Sequence, residues 1–411
     1  MNTWTLSFGG LRTVIELELK QRIRSKRWIW ALAGWFVLLG AVTGLIIWAA
    51  HEIYSWDNNN VQAGPMAFGV ITFFVLGMGL LIAPTFSAMS INGDRAGGTL
   101  ATLQATRLSA FEIAAGKLLA AWLTAAVFLV VALPFIVWSM VLGNISVWQV
   151  LVVFGVVLAE VAVVCAIGLG WSAVTSRPAG SAVMTYLSIA FLTVISTMVM
   201  GLLIPMVTDE QPVRVWGLTG AVMDEYNRAL DKYWAANPDG DGTGMPAAPI
   251  GKCTWFEEYQ TVTHADRVWW ITVVNPFVIV ADAAPLPPGA AKNLSQYQSL
   301  GSDPLATIRW GVRQLSMPPQ LEFDQCSQYY DGMPGYTVVY DDQGNAIVTT
   351  TKGGATVNVE SPVKRRVVNV ETPIWPWGLA ANILIGGVFF WIAVQRLRIP
   401  YAMLPKGTRV A

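Results

Sequence analysis

Polar residues with helix-capping chemistry lie between two apolar runs, at residues 92–112. Ser109 and Glu112 have the Ser-x-x-Glu spacing of a capping box, in which each side chain accepts a hydrogen bond from the other residue's backbone N–H. Thr99 can cap a further short helix that starts just after it. Gly98 is suited to end the helix that precedes it. The stretch therefore predicts a short helix held between two caps.

A single carboxyl group, Glu160, lies well inside an apolar run. A charge at such a depth costs several kcal/mol unless it is paired, neutralised or hydrated. One interpretation is a group that faces a cavity or acts as a proton-sensitive switch. The other, which we prefer, is a protonated Glu that hydrogen-bonds to Ser, Thr or backbone groups of a neighbouring helix.

Motifs for catalysis, nucleotides or metals are missing from the sequence. Gly116-Lys117 is followed by Leu118, where a P-loop needs Ser or Thr. The only histidines are His51 and His264, so no His/Cys cluster has the spacing of metal ligands. The chain is therefore not expected to be an enzyme, to hold a metal or to bind a cofactor itself.

Six apolar runs must position these groups. The chain of 411 residues is 54% hydrophobic and 13% charged, whereas soluble domains are about 25% charged. Each run reaches the roughly 20 residues that cross a bilayer. Nineteen tryptophans suit a protein anchored at two membrane interfaces, and a net charge of zero gives no field that attracts nucleic acid. The predicted spans are Trp28 to about Ala50, Ala67 to Ile91, Ile113 to Leu142, Val147 to Val174, Ser181 to Val207 and Ile374 to Val394.

The distribution of Lys and Arg predicts the orientation. The N-terminus, the 92–112 and 175–180 loops and the tail carry them, and the short turns at 51–66 and 143–146 carry none. Short loops rich in Lys and Arg stay cytoplasmic. We therefore expect a multi-pass protein of the plasma (inner) membrane with both termini cytoplasmic. The predicted parts are a cytoplasmic or interfacial N-terminal helix (1–27), spans one to five with loop 92–112 (28–207), an extracytoplasmic domain (208–373), span six (374–396) and a cytoplasmic tail (397–411).

The positions of the cysteines agree with an extracytoplasmic domain at residues 208–373. Cys165 lies in span four and is interpreted as a small buried apolar residue. Cys253 and Cys326 both lie within 208–373, and two cysteines in an oxidising compartment usually pair. We expect a Cys253–Cys326 disulfide, with two free buried thiols as the alternative.

Residues 208–373 are expected to fold. The predicted fold class is a membrane all-α bundle of six transmembrane helices, with an inserted extracytoplasmic α+β domain between helices five and six. Residues 221–236 have the periodicity of an amphipathic helix. The segment Val268–Val280 is too short to span, and is either a core strand or, as we prefer, an interfacial helix. The predicted strands form a β-meander: Tyr336–Tyr340, Ala346–Thr351, Ala355–Glu360 and Val363–Val370.

The N-terminal stretch 11–27 predicts an interfacial helix. Its apolar side is interrupted by Glu18 and Arg22, and its basic residues suit an anionic inner leaflet. A plain positive-inside anchor explains the same residues. The apolar side consists of Leu11, Val14, Ile15, Leu19 and Ile23.

The 92–117 stretch resembles the cytoplasmic loop of the ABC-2 type permeases. The departures are Ala96 and Gly97, where that family often has a second Glu-Arg pair, so a dense salt-bridge network is less expected. The resemblance covers roughly 1–207 and 374–400. The matching positions are Asp94, Arg95, Gly98, Thr99, Leu100, Thr106, Ser109, Glu112, Gly116 and Lys117.

The resemblance implies a coupling helix that docks into a groove of a separate ABC ATP-binding subunit. That subunit would bind ATP and Mg. Leu100 and Leu103 would face the membrane, and Gln104 and Arg107 the cytosol. The predicted coupling residues are Asp94, Arg95, Gly98, Thr99, Leu100, Leu103, Thr106, Arg107, Ser109 and Glu112. An ordinary solvated loop with good caps is the alternative.

These features predict the permease subunit of an ABC exporter that moves a lipophilic or amphipathic substrate outward. Its expected partners are the ATP-binding subunit, a second permease copy or homologue in a dimer, and the lipid bilayer, with no nucleic acid. One alternative is a non-transporting scaffold that relays ATP hydrolysis to an extracytoplasmic partner. A membrane-embedded enzyme is a further alternative, but the sequence offers no second titratable group beside Glu160.

Overall fold

The chain divides into two compact units. The bundle unit comprises Met1–Gly201, Trp269–Arg313 and Val370–Ala411, and the sheet unit comprises Leu202–Val268 and Gln314–Asn369. The computed structural model describes residues 4, 6–24, 26–54, 63–104, 106, 108–143, 145–238, 244–246, 248–249, 251–284, 303–331, 336–340, 345–352, 355–364 and 372–398.

Six helical segments of the described residues are long and apolar enough to cross a membrane. The prediction of six spans is therefore confirmed. The segments are Trp28–Ala49, Gly64–Ala96, Ala110–Leu142, Val147–Val174, Pro178–Val207 and Trp375–Leu397. The helices of this part of the chain are α1 (Phe8–Ile23), α2 (Lys26–Tyr54), α3 (Ala63–Ser87), α4 (Ser90–Ala96), α5 (Thr99–Gln104), α6 (Ala110–Gly143), α7 (Val147–Val174), α8 (Pro178–Ala190) and α9 (Ser196–Leu203).

Helix α7 is the centre of the bundle unit, and the last span packs along it. A Cβ atom added to Gly386 would lie 3.3 Å from Cα of Val163, and one added to Gly170 would lie 2.7 Å from the carbonyl oxygen of Phe389. Small residues allow such close approach of helix backbones in membranes. Since residue numbers rise together along both helices, spans four and six run in the same direction. Spans four and six must run in the same direction if successive spans cross the membrane in alternating directions.

Span five is interrupted by a π-helical turn. Helix α8 passes into Phe191–Ile195 with π geometry and continues as α9. The Asn275 amide donates to the Thr193 carbonyl at 2.8 Å and to the Thr197 hydroxyl at 3.1 Å. π-turns disturb the regular hydrogen-bond ladder of a helix. A side chain from a later segment therefore binds span five at this irregularity.

Two short helices with a break between them lie inside the bundle unit. They are α11 (Trp270–Val273) and α12 (Pro276–Ala283), and a further helix, α13, follows at Pro304–Leu315. Asn275 caps α12 by accepting from the Phe277 N–H at 3.0 Å. Ile279 of α12 is fully buried. Of the two alternatives predicted for Val268–Val280, the core strand is wrong, because the segment forms the helices α11 and α12. Its place at a membrane interface stays a prediction.

Asp282 joins this segment to the start of the last span, α15 (Trp375–Leu397). Its carboxylate accepts from the N–H groups of Ile374 and Trp375 at 2.7 and 2.8 Å. Arg313 of α13 donates to its other oxygen at 2.6 Å. An anion is stabilised at a helix N-terminus by the orphan N–H groups and the macrodipole. Asp282 therefore fixes where α15 begins.

The compact units differ from the single block that the sequence predicted at 208–373. Residues 269–313 cluster with the helices, and only the flanking stretches form the sheet unit. The cause is the apolar content of α11 and α12, which is buried by contact with spans four and six.

The sheet unit contains two three-stranded sheets among its described residues. In the first, β1 (Thr208–Gly217) pairs along its whole length with antiparallel β2 (Thr254–Thr263), and β3 (Glu322–Asp324) adds in parallel to β1. The second is the antiparallel meander β4 (Tyr336–Tyr340), β5 (Ala346–Lys352) and β6 (Ala355–Glu360). The three predicted meander strands are confirmed. Of the fourth, Val363 and Lys364 are not in a strand and 365–370 lie outside the described residues.

A disulfide lies at the core of the sheet unit. Cys253 and Cys326 are bonded, with Cα atoms 6.2 Å apart, which confirms the predicted pair. Cys253 packs in one cluster with Tyr226 and Tyr330. Tyr226 belongs to α10 (Gly220–Ala236), which matches the predicted helix, and Cys326 belongs to α14 (Gln325–Tyr330).

Candidate coupling site

Lys117, near the start of α6, is a buried charged group of the bundle unit with several charged partners. It is 1% exposed. Its ammonium lies 2.5 Å from Glu18 of α1 and 2.5 Å from Asp94 of α4, and it donates to the Ser90 carbonyl at 3.2 Å. Buried charges must be paired and hydrogen-bonded. Lys117 therefore links α1, α4 and α6 at one point.

Arg22, one turn after Glu18, extends these contacts. It lies 3.3 Å from Glu18 and donates to Thr124 of α6 at 3.0 Å and to the Phe86 carbonyl of α3 at 3.2 Å. Burial lowers the pKa of the Arg22 guanidinium, and Glu18 opposes this effect. We call Glu18, Arg22, Asp94 and Lys117 the charge cluster. Its two acids and two bases sum to zero charge.

The break between α3 and α4 is supported by side chains of spans four and five. The Ser172 hydroxyl accepts from the backbone N–H groups of Ile91 and Asn92 at 3.0 and 3.1 Å. The Ser181 hydroxyl donates to the Ala88 carbonyl at 2.6 Å. Backbone groups freed at a helix break within a membrane need such partners. Ser172 of α7 therefore binds the backbone of α4, and Ser181 of α8 binds the break before it.

Helix α5 begins at Thr99, directly after a left-handed glycine. Gly98 has φ 73°, a conformation that costs L-residues energy and that glycine adopts freely. The Thr99 hydroxyl donates to the Asp94 carbonyl at 3.3 Å. Leu100 is buried, and Leu103 packs on the same cluster, which includes Leu397. The two leucines pack against the helices of the bundle, and their predicted orientation toward the membrane stays a prediction.

The position of Gln104 differs from the predicted one, in which its side chain faces the cytosol. It is half-buried, and its amide donates to the Leu397 carbonyl at 3.1 Å. The reason is that the last C=O groups of a helix lack partners within it. The end of α5 is thus hydrogen-bonded to the end of the last span. Arg107, which was predicted to face the cytosol beside Gln104, lies outside the described residues.

Ser109 and Glu112 form the predicted capping box. The Ser109 N–H donates to Glu112 at 2.8 Å and the Glu112 N–H donates to Ser109 at 3.1 Å. Glu112 also accepts from the Ser7 N–H at 2.5 Å. Ser7 is the N-cap of α1 and accepts from the Gly10 N–H at 3.0 Å. One carboxylate therefore holds the starts of both α1 and α6.

The remaining predicted residues lie around this site. Arg95 contacts the Asn92 amide oxygen at 3.5 Å and the Thr175 carbonyl at 3.4 Å. The exposed Thr106 donates to the Leu103 carbonyl at 2.6 Å. Arg95 of α4 thus contacts the backbone at the end of α7, and Thr106 hydrogen-bonds to the last turn of α5.

Sequence reasoning missed the role of Glu18 and Arg22. The signal was their position in the apolar stripe of α1, where they interrupt an otherwise regular pattern. A polar residue on a buried helix face implies a partner across the interface. The partners lie about a hundred residues away along the chain, at Lys117 and Thr124.

Glu160 does not belong to the coupling site. It is fully buried on α7, and the Asn382 amide of α15 donates to its two oxygens at 3.2 and 3.0 Å. The expected Ser, Thr or backbone partner is therefore replaced by an asparagine.

Six apolar helices, each long enough to cross a bilayer, define a multi-pass membrane protein. Its polar site lies where span two ends and span three begins, and connects several helices of the bundle there. The family described as ABC-2 family transporter protein matches residues 12–233, and the chain belongs to this family. The resemblance drawn from residues 94–117 is thereby confirmed. The match extends into α10 of the sheet unit, and the last span lies outside it. No curated protein matches the chain.

Proposed function

We propose that this chain is the permease subunit of an ABC exporter driven by a separate ATP-binding subunit. The observation that supports it best is the charge cluster around Lys117. It binds α4 to the bundle at a buried, multiply bonded point, while Ala96 and Thr99 nearby stay exposed. An exposed surface on a firmly anchored element suits the transfer of movement from a second protein.

Energy for the cycle comes from ATP and Mg bound by the partner subunit. Closure of two ATPase subunits would displace α4 and α5. The Ser172 and Ser181 contacts would carry this displacement to spans four and five. Such a transition needs differential contacts in two states. Two permease units, identical or homologous, would together enclose the path.

The substrate is lipophilic or amphipathic and moves outward. The spans support this choice because their outer faces are apolar along their length. Residues 208–268 and 314–369 would then lie on the extracytoplasmic side, with both termini in the cytoplasm.

The experiment is affinity purification of the chain in mild detergent, followed by identification of bound subunits. We expect a Walker-motif ATPase in equal number. Ala96→Arg and Thr99→Arg on the exposed surface should release that ATPase, and Thr261→Arg on the sheet unit should not. If the ATPase stays bound to the two surface variants at wild-type stoichiometry, the coupling surface is wrong.

A scaffold that relays ATP hydrolysis to an extracytoplasmic partner is the second candidate. It is favoured by the separate core and the disulfide of the sheet unit. Efflux of a fluorescent lipophilic compound from cells separates the two candidates. An exporter loses efflux when ATP hydrolysis is blocked, whereas a scaffold shows no efflux and retains a protein bound to the sheet unit.

A further inference from the structure

Glu160, Asn382 and Val274 form a polar contact among three elements of the bundle unit. The Asn382 amide nitrogen donates to both Glu160 oxygens and, at 3.1 Å, to the Val274 carbonyl. Val274 stands in the break between α11 and α12. Glu160 and Asn382 are both fully buried. The contact therefore joins span four, span six and the break inside the bundle.

No cation compensates Glu160 among the described residues. The ion pairs formed by that part of the chain do not include it. Helix α3 carries no Asp, Glu, Lys, Arg or His, and α8 carries only Tyr186 as a titratable group. The other titratable groups on the helices packed against α7, and on α7 itself, are Asp282 with its partner Arg313, Glu112, Lys117, Asp94, Arg95, Arg396 and the buried thiol Cys165.

An isolated carboxylate in such a place is costly, whereas a neutral acid is not. Asn382 can serve both forms. Its amide nitrogen donates to a carboxylate, and its Oδ1 atom has no hydrogen-bond partner in the described part of the chain. After a half-turn of the amide, Oδ1 accepts from the O–H of a protonated Glu160. One side chain therefore accommodates Glu160 with and without its proton.

The surrounding packing sets when the proton can leave. A Cβ atom added to Gly378 would collide with the Val273 carbonyl oxygen, and Gly386 lies against Val163, so α15 leaves little room for water. Separation of α15 from α7 would admit water to the carboxyl group. A hydrated carboxylate is stable at neutral pH, since the ordinary pKa of Glu is about 4.3.

We propose that Glu160 is a proton-binding site that is loaded when spans four and six are packed and unloaded when they separate. In the unloading step the O–H bond of the acid breaks, the proton passes to water and the carboxylate keeps the electron pair. No oxidant or co-reactant takes part. This inference rests on the proposed ATP-driven cycle. The proton-binding site itself is formed by residues of this chain alone, so it can be measured without the ATPase.

Infrared spectroscopy of the complex with its co-purified ATPase tests the proposal. We expect a protonated-carboxyl C=O band at neutral pH that disappears when the complex is trapped with ATP and vanadate. Glu160→Gln should lack the band from the start, and the exposed control Glu258→Gln should keep it. If the band persists in the trapped complex, although the same complex hydrolyses ATP before vanadate is added, the proton site is refuted and the exporter assignment stands.

The isolated chain gives a second measurement that needs no ATPase. Asn382→Ser should shift the frequency of the wild-type band, because it changes the hydrogen bond to Glu160. A wild-type chain with no protonated-carboxyl band at neutral pH overturns the proposal. Failure to find any ATPase partner refutes the proposed function instead, and the unloading step with it.

Discussion

At the scale of single residues, the charge cluster depends on Lys117 more than on its other members. Lys117 is the cation shared by Glu18 and Asp94, and its side chain is fully buried. The carboxylates are themselves mostly buried, with Glu18 at 10% and Asp94 at 25% side-chain exposure. Loss of the shared cation would therefore leave two acids facing each other in a poorly solvated site.

We expect Lys117→Met to destabilise the protein by about 3–5 kcal/mol, the usual cost of removing one partner of a buried ion pair. The free energy of unfolding in detergent, from thermal or denaturant titration, measures it. Lys20→Met is the matched control, because Lys20 forms an exposed i,i+4 pair with Glu16 and should show no clear change. Equal effects of the two substitutions would contradict a special role of Lys117.

The sequence revealed local chemistry at this scale but not long-range pairing. The Ser109–Glu112 capping box was predictable because both partners lie three residues apart. The Glu18–Lys117 pair joins residues whose proximity depends on the packing of α1 against α6. Nothing in the sequence pointed to Asn382 as the partner of Glu160, because an Asn in a span can hydrogen-bond to many different neighbours.

At the scale of elements, close helix contacts depend on particular glycines. Gly378 and Gly387 lie on the same helix, α15. A Cβ atom on Gly378 would collide with the Val273 carbonyl oxygen, whereas one on Gly387 meets nothing within 4 Å. The backbone atom cannot move aside without shifting α11.

Gly378→Ala should therefore cost about 1–3 kcal/mol, the range for overpacked sites. Gly387→Ala should be neutral or slightly stabilising, because alanine favours a helix over glycine. Thermal unfolding of the two purified variants in the same detergent makes the comparison. A Gly378→Ala variant as stable as Gly387→Ala would show that α11 does not pack as described.

The disulfide gives a prediction for the sheet unit. The bond closes a loop with a sequence separation of 73, for which the chain-entropy treatment gives about 4 kcal/mol of stabilisation. Cys253→Ser, Cys326→Ser and the double variant should each lose this amount, because each removes the same bond. Protease resistance of the sheet unit reports it. A double variant with the summed cost of the single variants would contradict this account.

Elements were predictable where one periodicity dominated. Six spans and the meander strands follow directly from apolar runs and alternation. Strands β1 and β2 were missed because their exposed, charged residues hide the alternation. The choice between helix and strand for α11 and α12 was left open, since about 13 apolar residues fall below the length that spans a bilayer, and packing inside a bundle was not considered.

At the scale of the whole molecule, exposed tryptophans mark two levels. Trp30 is 77% exposed and Trp48 is 61% exposed, both on α2. At 1.5 Å per residue they are roughly 27 Å apart along the helix axis. This matches a hydrocarbon core of about 30 Å with tryptophans at both interfaces. The spacing of the two tryptophans along α2 thus suits a helix that crosses a bilayer.

The proposed orientation predicts a labelling pattern in intact cells. In a Cys165→Ala background, Asp224→Cys on the sheet unit should react with a membrane-impermeant maleimide. Arg177→Cys, in the short loop between spans four and five, should react only after the cells are permeabilised. Both positions are exposed, so access depends on the side of the membrane alone. Reaction of Arg177→Cys in intact cells would reverse the orientation.

The Cys253–Cys326 bond also has a topological consequence. Both ends of the bond belong to the sheet unit, while the stretch between them contains α11, α12 and α13 of the bundle unit. The polypeptide therefore forms a covalent ring that passes through both units. A single cut anywhere in that ring leaves two fragments that migrate as one species until the bond is reduced, so the two parts of the chain stay covalently joined even when the backbone is severed.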